Sequence, residues 1–312
     1  MTLQQLRYLC AIVDQGMNIT RAARFLQTSQ PGISRYLQLL EAEFGVKLLL
    51  RDGNRILGLT QIGQTVYAAA KRIQNEVAGV SAAVSEYRNG DVGDLTLAVA
   101  HGLARYKLPP LIRHFMDAFP KVKFNLRQGT HAQIWVWLAT GEADMAIASM
   151  PSENISDIIL LQCDEIYRVA LTPSGHPLTQ KRTISLRDLA SYPIITYEQG
   201  VTARIPILRA FQKKRVEPNI VLTATDEDTM KLYVRAGLGI ALVGHLSYNE
   251  EQDAGLAMVD ARNLFEPSPI YLGIRRNTYL PNYMISFVNL VAPHLSETLH
   301  NQDLQSLDRF TP

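Results

Sequence analysis

Apolar positions near the start of the chain recur at helical spacing. Leu3, Leu6, Cys10 and Val13 mark one amphipathic helix. A short second helix opens at Asn18, whose amide side chain suits a helix start, and small Ala22 and Ala23 allow a partner helix to come close. A third opens at Ser29 with Pro31 in its first turn, and Ile33, Leu37, Leu40 and Phe44 fall on one face. The pattern predicts a small three-helix bundle whose apolar stripes meet.

Farther on, Thr60 is an N-cap candidate, and Val66, Ala70, Ile73, Val77, Val80, Val84 and Tyr87 are spaced alternately by four and three. That is a heptad seam. Asn89-Gly90-Asp91 with Gly93 supplies a stop. Pairing of two subunits through Val66, Ala70, Ile73, Val77, Val80 and Val84 is the expectation; packing of the same seam on the chain's own core stays open.

From residue 95 short apolar runs alternate with helices: 95–100, a helix near 106–119, 122–127, 134–138 and 145–149, then 168–171, 194–197, 220–225, 230–234 and 240–243. Such alternation predicts α/β units with mostly parallel strands.

The second and third helices, joined by a tight turn, have the form of a helix-turn-helix. Gln30, Ser34, Arg35 and Gln38 lie opposite the apolar face, where amide, hydroxyl and guanidinium groups reach base edges or phosphates in a major groove. Ser29 can cap the helix, touch a phosphate, or do both. Charge points the same way: residues 1–90 hold ten Lys or Arg against six Asp or Glu, a balance of +4, while the remaining 21 basic and 23 acidic residues give −2. Double-stranded DNA is the expected partner.

At 312 residues the chain is too long for a DNA-binding module alone, so a second function is expected. No run approaches ~18 apolar residues and the N-terminus lacks a signal-peptide pattern, so no membrane partner and a cytoplasmic location are expected. Cys10 and Cys163 support neither a disulfide framework nor a zinc site; a redox role for Cys163 is the lesser alternative to plain burial. The seven His residues show no metal spacing, so neither metal nor cofactor is expected beyond a small-molecule effector. Asp226, Glu227 and Asp228 form an acidic cluster without a partnered nucleophile and read as helix-start charges rather than an enzyme site. Gly237-Leu238-Gly239 lacks the third glycine of a dinucleotide fingerprint.

The segment Thr28-Ser29-Gln30-Pro31-Gly32-Ile33-Ser34, followed by Leu39-Leu40-Glu41, Gly45, Leu48, Arg51 and Leu59-Thr60-Gln61-Ile62-Gly63, closely resembles the LysR-type transcriptional regulators. Leu49 departs from the phenylalanine usual there. Similarity to the CysB-like subfamily, regulators of sulfur assimilation, runs over nearly the whole chain: Leu3-Gln4-Gln5-Leu6-Arg7-Tyr8, Ala104-Arg105-Tyr106, Ala143-Asp144-Met145-Ala146-Ile147-Ala148, Thr223-Ala224-Thr225-Asp226, Gly237-Leu238-Gly239 and Ala292-Pro293-His294-Leu295.

The resemblance implies a winged helix-turn-helix over 1–59, with Arg51 and Arg55 on a β-hairpin wing that touches the DNA backbone or minor groove; solvated hairpin charges are the plainer alternative. It further implies a linker and dimerisation helix over 60–90 and a two-subdomain α/β effector-binding domain over 91–300, like periplasmic binding proteins, with 301–312 as a tail. Subdomain I takes 91–163 and 267–300, subdomain II 164–266, with crossings near Cys163 and near Phe265-Glu266-Pro267. The family's usual assembly is a dimer of dimers, hence an expected homotetramer, with RNA polymerase as a possible further partner.

Ligands of open α/β sheets gather beyond the carboxyl ends of strands, where helix N-termini suit anions. Those positions are Ala100, His101, Gly102 and Leu103, then Thr130 and His131 after Gly129, Ser149, Thr202 after Val201, and Thr225 before Asp226. In the subfamily this pocket holds a small oxyanion or an acetylated serine. Ser149 and Thr202 keep the hydroxyl chemistry, with ordinary strand-end hydrogen bonding as the alternative. Ala100, Gly102 and Leu103 replace commonly polar side chains, so the small anionic effector is expected to be larger or less charged than an inorganic anion. His101 and His131 are either ligand contacts or loop surface, and Trp135 and Trp137 either pack, meet another subunit or stack on a ligand. A solute-binding component is the rival function, opposed by the helix-turn-helix.

Overall fold

The structure, a computed structural model, describes residues 1–53, 55–89, 92–151, 157–276 and 278–295. The expected stop at Gly90-Asp91 and the tail 301–312 lie outside them. Contacts divide the chain into two compact units.

The first unit opens with α1 (Leu3–Asp14), α2 (Ile19–Phe25) and α3 (Gln30–Phe44). Each start is capped locally: Gln5 N donates to Thr2 Oγ1 at 3.3 Å, Arg21 N to Asn18 Oδ1 at 2.9 Å and Gly32 N to Ser29 Oγ at 3.2 Å. Leu6, Leu9, Ile12, Ala22, Ile33, Leu37 and Leu40 form the core. Two expected core positions differ. Leu3, the first residue of α1, is exposed. Phe44 is exposed as well, because Glu41 takes the inward place in the last turn of α3. Its Oε1 accepts from Leu48 N at 2.9 Å and Leu49 N at 3.3 Å, pinning the chain that leaves the helix.

Strands β1 (Leu49–Asp52) and β2 (Arg55–Leu59) form an antiparallel hairpin. α4 (Gln61–Asn89) follows, with Thr60 Oγ1 accepting from Gly63 N at 3.0 Å. Residue 63 must be glycine here, since a Cβ would stand 2.0 Å from the Leu48 carbonyl oxygen. The heptad seam of α4 divides. Ala70 is fully buried in the core of the bundle, with Val66, Tyr67 and Ile73 packed against it. Asp14 of α1 adds a Tyr67 hydroxyl bond of 2.6 Å and a Lys71 bond of 3.0 Å. Val66, Ala70 and Ile73, expected at a subunit interface, therefore serve this chain's own core. Val77, Val80, Val84 and Tyr87 are exposed at 45, 67, 54 and 92%.

The second unit contains β3 (Gly93–Val99), α5 (His101–Tyr106), α6 (Leu108–Ala118), β4 (Val122–Gln128), α7 (His131–Thr140), β5 (Met145–Ser149) and β6 (Ile158–Ile166). It continues with β7 (Arg168–Pro173), α8 (Leu186–Ala190), β8 (Ile194–Tyr197), α9 (Arg204–Lys214), β9 (Ile220–Ala224), α10 (Glu227–Arg235), β10 (Ile240–Gly244), β11 (Leu256–Asp260), β12 (Ser268–Arg275) and α11 (Asn282–Val291). The strands form two five-stranded sheets, β4-β3-β5-β12-β6 and β11-β7-β10-β8-β9.

The sequence predicts mostly parallel pairing, but among the described residues it holds only for β3 with β4 and β5, and for β8 with β9 and β10. β12 runs antiparallel to β5 and β6, and β7 antiparallel to β10 and β11. The reason is topological: β6 carries the chain out of the first sheet in the same direction as β3, β4 and β5, and β12 brings it back between β5 and β6, so β12 runs against that direction. The apolar runs at 134–138 and 230–234 belong to helices α7 and α10. β6 continues past Cys163 to Ile166, opposite Ser268 at the start of β12, so the chain crosses between sheets at Tyr167 and again just ahead of Ser268.

No described helix is long and apolar enough to cross a membrane. Among the described residues no group of three His, Cys, Asp or Glu is placed to hold a metal ion. Cys163 is buried, its thiol donates to the Ile270 carbonyl at 3.4 Å, and burial pushes it up to about 12, which disfavours the reactive thiolate.

Candidate functional site

Two surfaces carry chemistry. On the first unit, Ile33, Leu37 and Leu40 hold one face of α3 in the core, which leaves Gln30, Pro31, Arg35 and Gln38 exposed and Ser34 half-buried. Gln30, Ser34 and Gln38 are four residues apart and share a face. Ser29 is exposed and its hydroxyl caps α3. Arg51 and Arg55 are exposed on the two strands of the hairpin, Arg55 opposite Asp52 at the turn. The arrangement presents a helix face and a wing with donors and acceptors of the kind that read DNA.

On the second unit a cavity of about 420 Å³ lies among the strand ends of both sheets, within the range of small-molecule sites. All nine residues expected at an effector site line it. Ala100, His101, Gly102 and Leu103 come from the β3–α5 junction, Thr130 and His131 from the start of α7, Ser149 from the end of β5, Thr202 from the turn before α9, and Thr225 from the β9–α10 junction. Ala100 stands at the N-cap of α5 without a side-chain cap. The Ser149 hydroxyl donates to Thr202 Oγ1 at 3.3 Å, bringing the two sheets together at one point.

These nine residues do different work. His131 Nε2 lies 3.1 Å from the Ser149 carbonyl oxygen and 2.8 Å from that of Met150, so it donates to backbone and anchors the end of β5. The Thr130 hydroxyl donates to Gln133 Oε1 at 3.0 Å at the start of α7. Trp135 is buried and donates to the Ser149 carbonyl at 3.1 Å, while Trp137 carries the Arg127 guanidinium over its ring at 4.0 Å. Neither tryptophan lines the cavity.

Arg168, Tyr197 and Glu227 line the cavity and were not singled out as site residues from the sequence. Arg168 is 2% exposed; its Nη2 donates to Ser268 Oγ at 2.8 Å and its Nη1 to the Ile166 carbonyl at 3.3 Å. Burial lowers its affinity for the proton, yet an arginine remains cationic. The Tyr197 hydroxyl donates to Glu227 Oε1 at 2.8 Å and accepts from Gly244 N at 3.2 Å. Burial, with the facing Glu227 carboxylate, raises this hydroxyl well above the ordinary tyrosine value, so it stays a donor.

The acidic cluster divides. Asp226 caps α10 through Thr229 N at 2.9 Å, as a helix-start charge does. Glu227 turns to Tyr197, and Asp228 accepts from the Tyr106 hydroxyl at 2.7 Å and pairs with Arg105. An arginine heading an apolar run was the one sequence signal for Arg168; for Glu227 there was none, because its partner lies 30 residues away.

Residues 3–64 match the family described as "Bacterial regulatory helix-turn-helix protein, lysR family", and residues 88–296 match "LysR substrate binding domain". The chain is 38% identical over 297 residues to the HTH-type transcriptional regulator SsuR of Burkholderia cenocepacia, covering 95% of this chain and 96% of the relative. It is 36% identical over 305 residues to the HTH-type transcriptional regulator CysB of the same organism, covering 98% and 97%. The crystal structure of the cofactor-binding domain of the Cbl transcriptional regulator superposes with a TM-score of 0.64 at 38% identity, covering 70% of this chain and 96% of that one.

Proposed function

The chain belongs to the LysR family of transcriptional regulators, and we propose that it senses a small anionic metabolite of sulfur metabolism in the cleft of its second unit. It is a regulator, not an enzyme. One observation carries the effector reading: the Ser149–Thr202 contact at 3.3 Å, inside a cavity that collects every strand end expected to face a ligand. A ligand that binds the open and closed cleft unequally shifts their populations and thereby changes how the heads grip and bend DNA.

Ser29, Gln30, Pro31, Ser34, Arg35 and Gln38 are the proposed contacts to duplex DNA, with Arg51 and Arg55 on the backbone. We place the head at 1–59, the linker helix at 60–90 and the effector-binding domain at 91–300. The exposed half of the seam, Val77, Val80 and Val84, is the proposed dimer contact. Assembly to a tetramer, contact with RNA polymerase and a cytoplasmic location belong to the same proposal.

A thermal-shift screen against sulfate, thiosulfate, sulfonates, acylated serines and small carboxylates tests the effector, since selective binding stabilises the folded state. A cavity of about 420 Å³ with Ala100, Leu103, Ile166 and Ile270 in its wall favours an organic acid over a bare inorganic anion, and so supports the second reading, regulation of another pathway by a larger effector. No stabilisation by any sulfur compound alongside stabilisation by an unrelated carboxylate selects that reading.

A further inference from the structure

Resting on the effector-site reading above, we infer that the ligand of this cleft carries an ammonium group beside its acid group, and that Glu227 is the residue that selects it. The cleft holds fixed charges of both signs. Arg168 is buried; Nη2 donates to Ser268 and Nη1 to the Ile166 carbonyl, each nitrogen having a second N–H, and its buried Nε has no hydrogen-bond partner. Glu227 receives the Tyr197 hydroxyl on Oε1, and that hydroxyl is itself held by Gly244 N. A carboxylate oxygen has two acceptor sites, so Glu227 keeps capacity for a further donor.

Residue 102 makes room for this carboxylate. A Cβ on Gly102 would stand 3.2 Å from Glu227 Oε1 and 3.5 Å from Oε2, so the absent side chain is the space into which Glu227 reaches. At the β3–α5 junction Ala100, Gly102 and Leu103 bring no polar side chain and His101 brings one; the group standing against Gly102 is Glu227, an anion that can only accept hydrogen bonds. Glu198, on the exposed rim, has the same sign.

A sulfate or simple carboxylate seated against Glu227 meets like charge, whereas a cationic donor meets a charge-assisted hydrogen bond. Arg168 with the Ser149 and Thr202 hydroxyls suits the acid end of the same ligand. A small amino acid or aminosulfonate satisfies both ends.

Calorimetry on the full chain with matched pairs tests this: 2-aminoethanesulfonate against ethanesulfonate, and β-alanine against propionate, with sulfate as a separate arm. The expected result is that the amine-bearing member of at least one pair binds about tenfold more tightly or better, and that Glu227→Gln brings the ratio to within about twofold. A melting curve of the variant verifies that it is folded. If the desamino member binds as tightly in wild-type protein, or if the folded variant keeps the ratio, the inference is overturned. Binding of sulfate or a desamino acid alone, weakened by Thr202→Val, overturns the inference and leaves the effector site standing. No binding by any of the five compounds counts against both.

Discussion

The hydroxyls of Ser149 and Thr202, 53 residues apart and carried by different subdomains, meet at 3.3 Å in the wall of the cleft. Thr202→Val removes one of them at nearly constant volume. We predict that ligand affinity falls by about 1 kcal/mol or more, roughly fivefold or greater. Calorimetry with whichever small acid stabilises the protein in the thermal-shift screen measures this; unchanged affinity in both Thr202→Val and Ser149→Ala would place the ligand elsewhere.

Because the seam of α4 divides, its two halves should respond differently to charge. Val80→Asp with Val84→Asp puts carboxylates on the exposed half and is expected to halve the mass seen in sedimentation while the melting temperature of the head holds. Ile73→Asp should instead lower that melting temperature, since Ile73 packs on the core of the bundle. A double variant that keeps its assembly state shows that subunits pair through another surface.

Ser34 and Arg55 are predicted to act on DNA in different ways. Ser34→Ala should cost on the order of 1–3 kcal/mol at a selected operator and little on random duplex, as the loss of a base contact does. Arg55→Ala should weaken all sequences similarly and reduce the salt slope by about one. Parallel binding curves on both duplexes decide it, and equal effects from the two variants would end the division of roles.

Glu41 is the inward residue of α3, and two backbone amides depend on its carboxylate. Glu41→Ala leaves the Leu48 and Leu49 amides buried without that acceptor, at about 1–3 kcal/mol each. Hydrogen exchange should show both amides losing protection first, with a lower melting temperature for the head. Retained protection at Leu48 would mean that another acceptor serves it.

Asp253 is buried between Lys231, whose Nζ stands at 2.8 Å, and Arg235 at 3.0 Å. Burial alone would raise its pKa; the hydrogen bond from Lys231, with the Asn249 amide and Arg235, brings it below the ordinary carboxylate value. A depressed carboxylate stabilises the fold fully above about pH 3.9, its unfolded value, and that stability is lost as pH falls through the lower folded value. Asp253→Ala should cost about 3–5 kcal/mol at neutral pH by leaving Lys231 buried without its closest partner. Melts from pH 7 to 2 should show a shallower acid limb in Asp253→Asn; an identical limb rules this carboxylate out as a contributor.

Local chemistry was readable before any fold was known. The caps at Asn18, Ser29 and Thr60 act within three residues, and the apolar period of α3 turns its polar face outward whatever lies beyond. The strand ends that gather at the cleft were equally legible, because a strand followed by a helix start marks its own position. Contacts between distant segments were not. The seam of α4 reads as one continuous stripe, and only the packing of Ala70 against the bundle divides it into a core half and an exposed half. The antiparallel strands β6 and β12 depend on where the chain leaves a sheet and returns to it, which periodicity does not encode. Arg168 and Glu227 are ordinary charged residues in sequence. Their roles arise because the fold surrounds one with protein and sets the other against Tyr197 and the space left by Gly102, and a charge takes its meaning from the partners and dielectric that tertiary structure supplies.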